Sequence, residues 1–112
     1  MLTLMNDTES WREALVADID RAEHECGADN DVTSYNELAD ELCCDVLRLL
    51  DAAGVSHRRA YQQSMGAFVL IQSALSDAEI GAFYIALDTA REALYPRVLA
   101  LAQILVAIDA GY

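Results

Sequence analysis

The feature that most constrains this chain is the run Val98–Ile108, in which Gln103 is the one polar residue. A helix apolar on one stripe sits on a surface, whereas one apolar all round is buried on most sides. Arg97 precedes the run and Asp109 closes it. The run is about half the length a bilayer span needs, and extending it backward meets Arg97, Pro96, Glu92, Arg91 and Asp88. It therefore reads as a core helix, not a membrane span. The other helices must then supply a charged outer wall.

The remaining chain carries helical periodicity and no strand alternation. Ser10-Trp11-Arg12-Glu13 is a capping-box pattern, with residues 1–7 as a frayed lead-in. Trp11, Leu15, Ile19, Ala22 and Cys26 follow at steps of four and three, which predicts a first helix over 9–26 stopped by Gly27. Ser34-Tyr35-Asn36-Glu37 repeats the box. A second helix then runs to about Ala53, with Gly54 as its left-handed stop and Leu38, Leu42, Val46 and Leu49 on its apolar face. Ser56 caps a third helix over 57–75, with Tyr61, Met65, Phe68, Ile71 and Leu75 as its stripe. Gly66 within it suggests close approach by another helix, because an interior Gly otherwise costs up to about 1 kcal/mol against Ala.

A third box, Ser76-Asp77-Ala78-Glu79, predicts a fourth helix from Asp77 with Ile80, Phe83, Tyr84, Leu87, Ala90 and Leu94 apolar. Proline removes a backbone donor and clashes with the carbonyl four residues back. A break or strong kink is therefore expected at Pro96, which would open a fifth helix ending before Gly111. The expected fold is all-α: one domain over 1–112, a compact antiparallel bundle of four to five helices. With 112 residues, 54% of them hydrophobic, the chain can fill one core.

Charge narrows the functional classes. The net charge is −12, so duplex phosphates and anionic membrane surfaces would repel the chain, and a basic protein or nucleoprotein complex is the favoured partner. Residues 1–56 hold 14 carboxylates against 3 arginines, and residues 57–112 hold 5 against 4. Solubility alone would not require that asymmetry. On the second helix Glu37, Glu41 and Asp45 step by four residues, roughly 6 Å each at the helical rise, close to the roughly 6.8 Å of two phosphate steps along a DNA strand. The plainer reading is an amphipathic helix with a solvated stripe; the functional one is mimicry of a nucleic-acid backbone. Glu13, Asp20, Glu37, Asp40, Glu41 and Asp45 are the candidate partner-binding residues.

Catalytic patterns are missing from the sequence. Asp20 and His24 share a helix face and would give two metal ligands, where a tight site needs three or four, so no metal or cofactor is expected. Cys43 and Cys44 sit amid Asp40, Glu41 and Asp45, which oppose a thiolate, and Cys43 falls on the apolar face. Three cysteines without a C-x-x-C fit a reducing cytoplasm. The first residues lack the basic and apolar regions of a signal peptide. His57, Arg58 and Arg59 place cations at a helix N-terminus against the dipole, either as a turn balanced by nearby acid or as an anion contact.

These features lead to an expected non-enzymatic inhibitor, anti-defence or immunity-type, such as a phage protein of anti-CRISPR-like action whose acidic helices dock on a basic, nucleic-acid-binding surface. Two alternatives are a homodimeric assembly module joined through Leu101, Leu105 and Ile108, and a small metal-binding bundle around Asp20 and His24.

Overall fold

The computed structural model describes residues 4–26, 35–77 and 87–111. Among them it contains four helices and no strand: α1 (Leu4–Cys26), α2 (Tyr35–Ala52), α3 (His57–Asp77) and α4 (Leu87–Asp109). α1 and α2 each pack on both α3 and α4 and make no extensive contact with each other. α2 and α3 are joined by a tight turn. α2 and α4 run the same way, since Glu41 meets Arg91 while Leu49 and Ala53 meet Leu99 and Val106. A wholly antiparallel arrangement of neighbours is therefore not what forms.

Each helix contributes a stripe to one shared core. Trp11, Leu15 and Ile19 come from α1, Leu38, Leu42, Val46 and Leu50 from α2, Ile71 and Leu75 from α3, and Leu94, Val98 and Leu101 from α4. Burying each large aliphatic side chain contributes roughly 1.5–3 kcal/mol. The α2 stop is as expected. Gly54 has φ +92°; its N–H donates to Asp51 O and that of Val55 to Leu50 O, both at 3.1 Å. This is the Schellman pattern, completed by burial of Val55 and Leu50 together in the core. Gly111 also has φ +92°, ending α4. At the start of α3 the Arg59 N–H donates to Ser56 Oγ at 3.4 Å, a long cap.

Five expectations change. α1 begins at Leu4, so Ser10 lies inside the helix and its box is not the start. α3 continues through Ser76 and Asp77, so a fourth helix does not start at Asp77; residues 78–86, including Ile80, Phe83 and Tyr84, lie outside the described residues. The stripe of α3 holds at Phe68, Ile71 and Leu75 but not in the first half of the helix: Tyr61 and Met65 are exposed, while Ala60, Gln63, Ser64 and Ala67 are buried. Small side chains admit the neighbouring helices closely, which the larger Tyr and Met would prevent. Gly66 meets nothing within 4 Å of a built Cβ, so it marks no close approach.

The fifth change concerns Pro96, which lies inside a single helix. Buried Ala90, Leu94, Val98, Leu101 and Leu105 continue the same stripe across it at steps of four and three. Pro96 itself is exposed, so the Glu92 carbonyl that loses its donor can turn to water. Core packing on both sides outweighs that local cost. The Val98–Ile108 run is accordingly a core helix with one uncovered side, where Leu99 and Gln103 are exposed.

Candidate functional site

The candidate carboxylates separate into two kinds once the helices pack. Glu13, Asp20, Glu37 and Asp40 are exposed and Glu41 is half-buried, but Asp45 is buried. Asp45 occupies the α2/α4 seam, three residues after Leu42 on the apolar side. Arg91 of α4 grips it with two hydrogen bonds, Nε to Oδ2 at 2.9 Å and Nη2 to Oδ1 at 2.8 Å, and Arg48 one turn along α2 donates to the same carboxylate. Glu41 approaches Arg91 Nη1 at 3.5 Å. The regular ladder of Glu37, Glu41 and Asp45 is thus broken from within: its last rung is an internal ligand of an arginine.

α1 repeats the device. Asp18, buried three residues after Leu15, accepts hydrogen bonds from Arg97 of α4 and from Arg21 on its own helix. Burial by itself would raise the Asp18 pKa. The hydrogen bonds from Arg97 and Arg21, with their positive charge, outweigh it and hold the carboxyl below its ordinary value. Beside it the Trp11 indole N–H donates to the Arg97 carbonyl. Arg91 and Arg97, six residues apart on α4, therefore bind one buried aspartate on each flanking helix. The sequence carried a signal for this: Asp18 and Asp45 each sit within an apolar stripe and each is followed three residues later by Arg.

The other described basic side chains, apart from Arg58, are also engaged. Arg12 of α1 donates to Ser73 at 2.9 Å and pairs with Asp77 of α3. Arg59 pairs with Asp109 at 3.1 Å, and His57 Nδ1 lies 3.4 Å from Asp51 Oδ2. The basic cluster at the start of α3 is thus balanced by acid, with one partner at the end of α2 and another at the end of α4. Among the described residues Arg58 has no carboxylate partner. Of the candidate carboxylates, Glu13, Glu37 and Asp40 are exposed and pair with no cation among the described residues. Glu13 and Asp20 belong to α1, while Glu37, Asp40 and Glu41 belong to α2, so the structure does not unite the six candidates in one patch.

The other candidates are placed as follows. Leu101 is fully buried and Leu105 is 8% exposed in this chain's own core; Ile108 is half-buried against it. The uncovered side of α4 carries Leu99 instead. Cys43 is buried and its thiol donates to the Ser64 carbonyl at 2.9 Å. Burial pushes its pKa up, aided by Cys44 and Asp40 and offset in part by the Ser64 side chain, so this thiol lacks the conditions of a nucleophile. Cys44 is exposed. The side chains of His24 and Cys26 lie outside the described residues; among those described, no three of His, Cys, Asp and Glu converge as a metal site would require. No described helix is long and apolar enough to cross a membrane.

Comparison with known proteins gives no relative from which a role could be carried over: no family model matches the chain, and no curated protein or solved structure matches it.

Proposed function

We propose that this chain is a non-enzymatic protein-binding module that docks exposed carboxylates on a basic, nucleic-acid-binding surface of another protein and so blocks it, as an anti-defence or immunity-type inhibitor would. The observation that carries this reading is the use of the arginines. Every described arginine except Arg58 is held by a carboxylate of the chain itself. The surface acid on α2, Glu37 and Asp40, is left without cations of its own, and Glu41 adds a half-exposed carboxylate beside them. Such a face gains by meeting fixed positive charge on a partner, chiefly in association rate and specificity. Mimicry on α2 involves Glu37, Asp40 and Glu41, since Asp45 is internal.

The test has two stages. A tagged chain retrieves its partner from a lysate, and the purified partner is then assayed for DNA or RNA binding with the chain as competitor. The chain is expected to displace nucleic acid, with Glu37→Lys plus Asp40→Lys weakening displacement by about tenfold or more, and with about 0.5 M salt weakening it strongly. Displacement indifferent to both changes would overturn the electrostatic mechanism.

A further inference from the structure

Along α4, Asp88, Glu92, Tyr95, Leu99, Ala102 and Val106 recur at steps of four and three, so they share one helix face. The core face, carried by Leu94, Val98, Leu101 and Leu105, lies beside it, and Ala102 is buried where the two meet. On the shared face Tyr95 and Leu99 are each 39% exposed. Leu99, Ala102 and Val106 join Leu49 and Ala53 of α2 to form a slot of about 250 Å³, with Gln103 the one polar side chain at its edge. At the other end Asp88, Arg91, Glu92 and Tyr95 line an open hollow. Glu41 lies against Arg91 there, and Arg91 is already gripped by Asp45. The α2/α4 seam thus passes from a carboxylate-rich end to an apolar slot. From Asp88 to Val106 it covers roughly 27 Å, five turns of helix at 1.5 Å per residue.

We infer that this seam is a docking groove for a cationic amphipathic helix of a partner protein. The helix lays apolar side chains spaced by three, four and seven residues into the slot around Leu49, Leu99 and Val106. It sets arginines or lysines against Glu41, Asp88 and Glu92. Charge selects this occupant. A second copy of the chain brings its own net charge of −12. Laid parallel, its α4 would oppose carboxylates to carboxylates. Laid antiparallel, it would press its acidic end onto the apolar slot and strip water from unpaired charge. A cationic helix satisfies both ends of the groove. The inference rests on the reading of the partner as basic, and adds where that partner's apolar anchor sits.

Fluorescence anisotropy of dye-labelled synthetic helices against the full chain tests it. One peptide carries leucines on one face and arginines at one end; its twin carries glutamates in place of the arginines. The cationic peptide is expected to bind and its twin to bind at least about tenfold more weakly. Leu99→Asp and Glu92→Arg are each expected to weaken the cationic peptide by about tenfold, with helicity unchanged by circular dichroism, while Gln62→Lys on the exposed face of α3 leaves it unaltered. If Leu99→Asp loses helicity, Leu99→Gln takes its place. Binding that falls with Asp40→Lys but not with the Leu99 variant overturns the groove and leaves the basic-partner reading standing. Equal binding of both peptides overturns the groove and that reading together. Failure of both peptides to bind, or a dimer of the chain that the Leu99 variant dissociates in sedimentation, overturns the groove alone.

Discussion

At the residue scale the informative side chains are two aspartates that interrupt apolar stripes. A buried, charged carboxylate is costly unless it is paired and hydrogen-bonded. Asp18 and Asp45 meet that condition through arginines 79 and 46 residues away in sequence. Removing one partner leaves a charge without compensation, so these clasps fix how α1 and α2 seat on α4 more than they add net stability. The depressed Asp18 pKa has a definite sign. The folded state favours the ionised form, so its contribution is fully present above the ordinary value of 3.8 and is lost as pH falls through the lower folded value. Asp18→Asn is therefore expected to flatten the acid limb of stability below about pH 4, measured by urea unfolding across pH. An acid limb unchanged in the variant would show that Asp18 is not held by the two arginines.

At the element scale, packing overrides two local signals in different ways. Pro96 stays inside α4 because the buried stripe continues on both sides of it. Pro96→Ala restores a donor to the Glu92 carbonyl and is expected to stabilise the chain by roughly 1–3 kcal/mol. Were Pro96 the first residue of a separate helix, the same change would be neutral or unfavourable, so thermal unfolding of this variant discriminates the two. Gly66 has open space where a Cβ would stand. Gly66→Ala is accordingly expected to raise stability by up to about 1 kcal/mol, read as an increase in Tm. A loss would indicate a neighbour pressed against that face.

At the scale of the whole molecule, charge is divided between an inside and an outside role. The arginines sit on seams: Arg12 between α1 and α3, Arg97 between α1 and α4, Arg91 between α2 and α4. They neutralise acid locally, and the net charge of −12 that remains is left to repel itself. Moderate salt screens that repulsion, whereas the pairs around Asp18 and Asp45 are shielded by burial. The Tm is therefore expected to rise between roughly 0.02 and 0.5 M sodium chloride; a fall would mean that exposed ion pairs dominate.

Much of this was legible before packing was known. The all-helical class, the stops at Gly54 and Gly111, the Ser56 cap, and the core stripes of α1 and α2 follow from periodicity and from which residues accept a left-handed or capping conformation. These depend on interactions within a few residues, so the local chain determines them. The acid surplus and its concentration in the N-terminal half were equally visible. The choice of Ala60, Ser64 and Ala67 over Tyr61 and Met65 as the inner face of α3 was not, because hydrophobicity favours the larger side chains and only the closeness of the neighbouring helices rejects them.

The run Val98–Ile108 was rightly placed at the core by its composition, yet its own sequence could not say which side stays uncovered. That depends on where α1 and α2 lie, and they leave Leu99 and Gln103 facing outward. The same holds for the carboxylates. Sequence alone establishes that there are far more of them than arginines. Which ones are consumed internally, Asp18 and Asp45, and which stay on the surface, Glu37 and Asp40, was decided by the tertiary structure. Pairing an aspartate with an arginine 46 or 79 residues away requires the helices between them to be in place first.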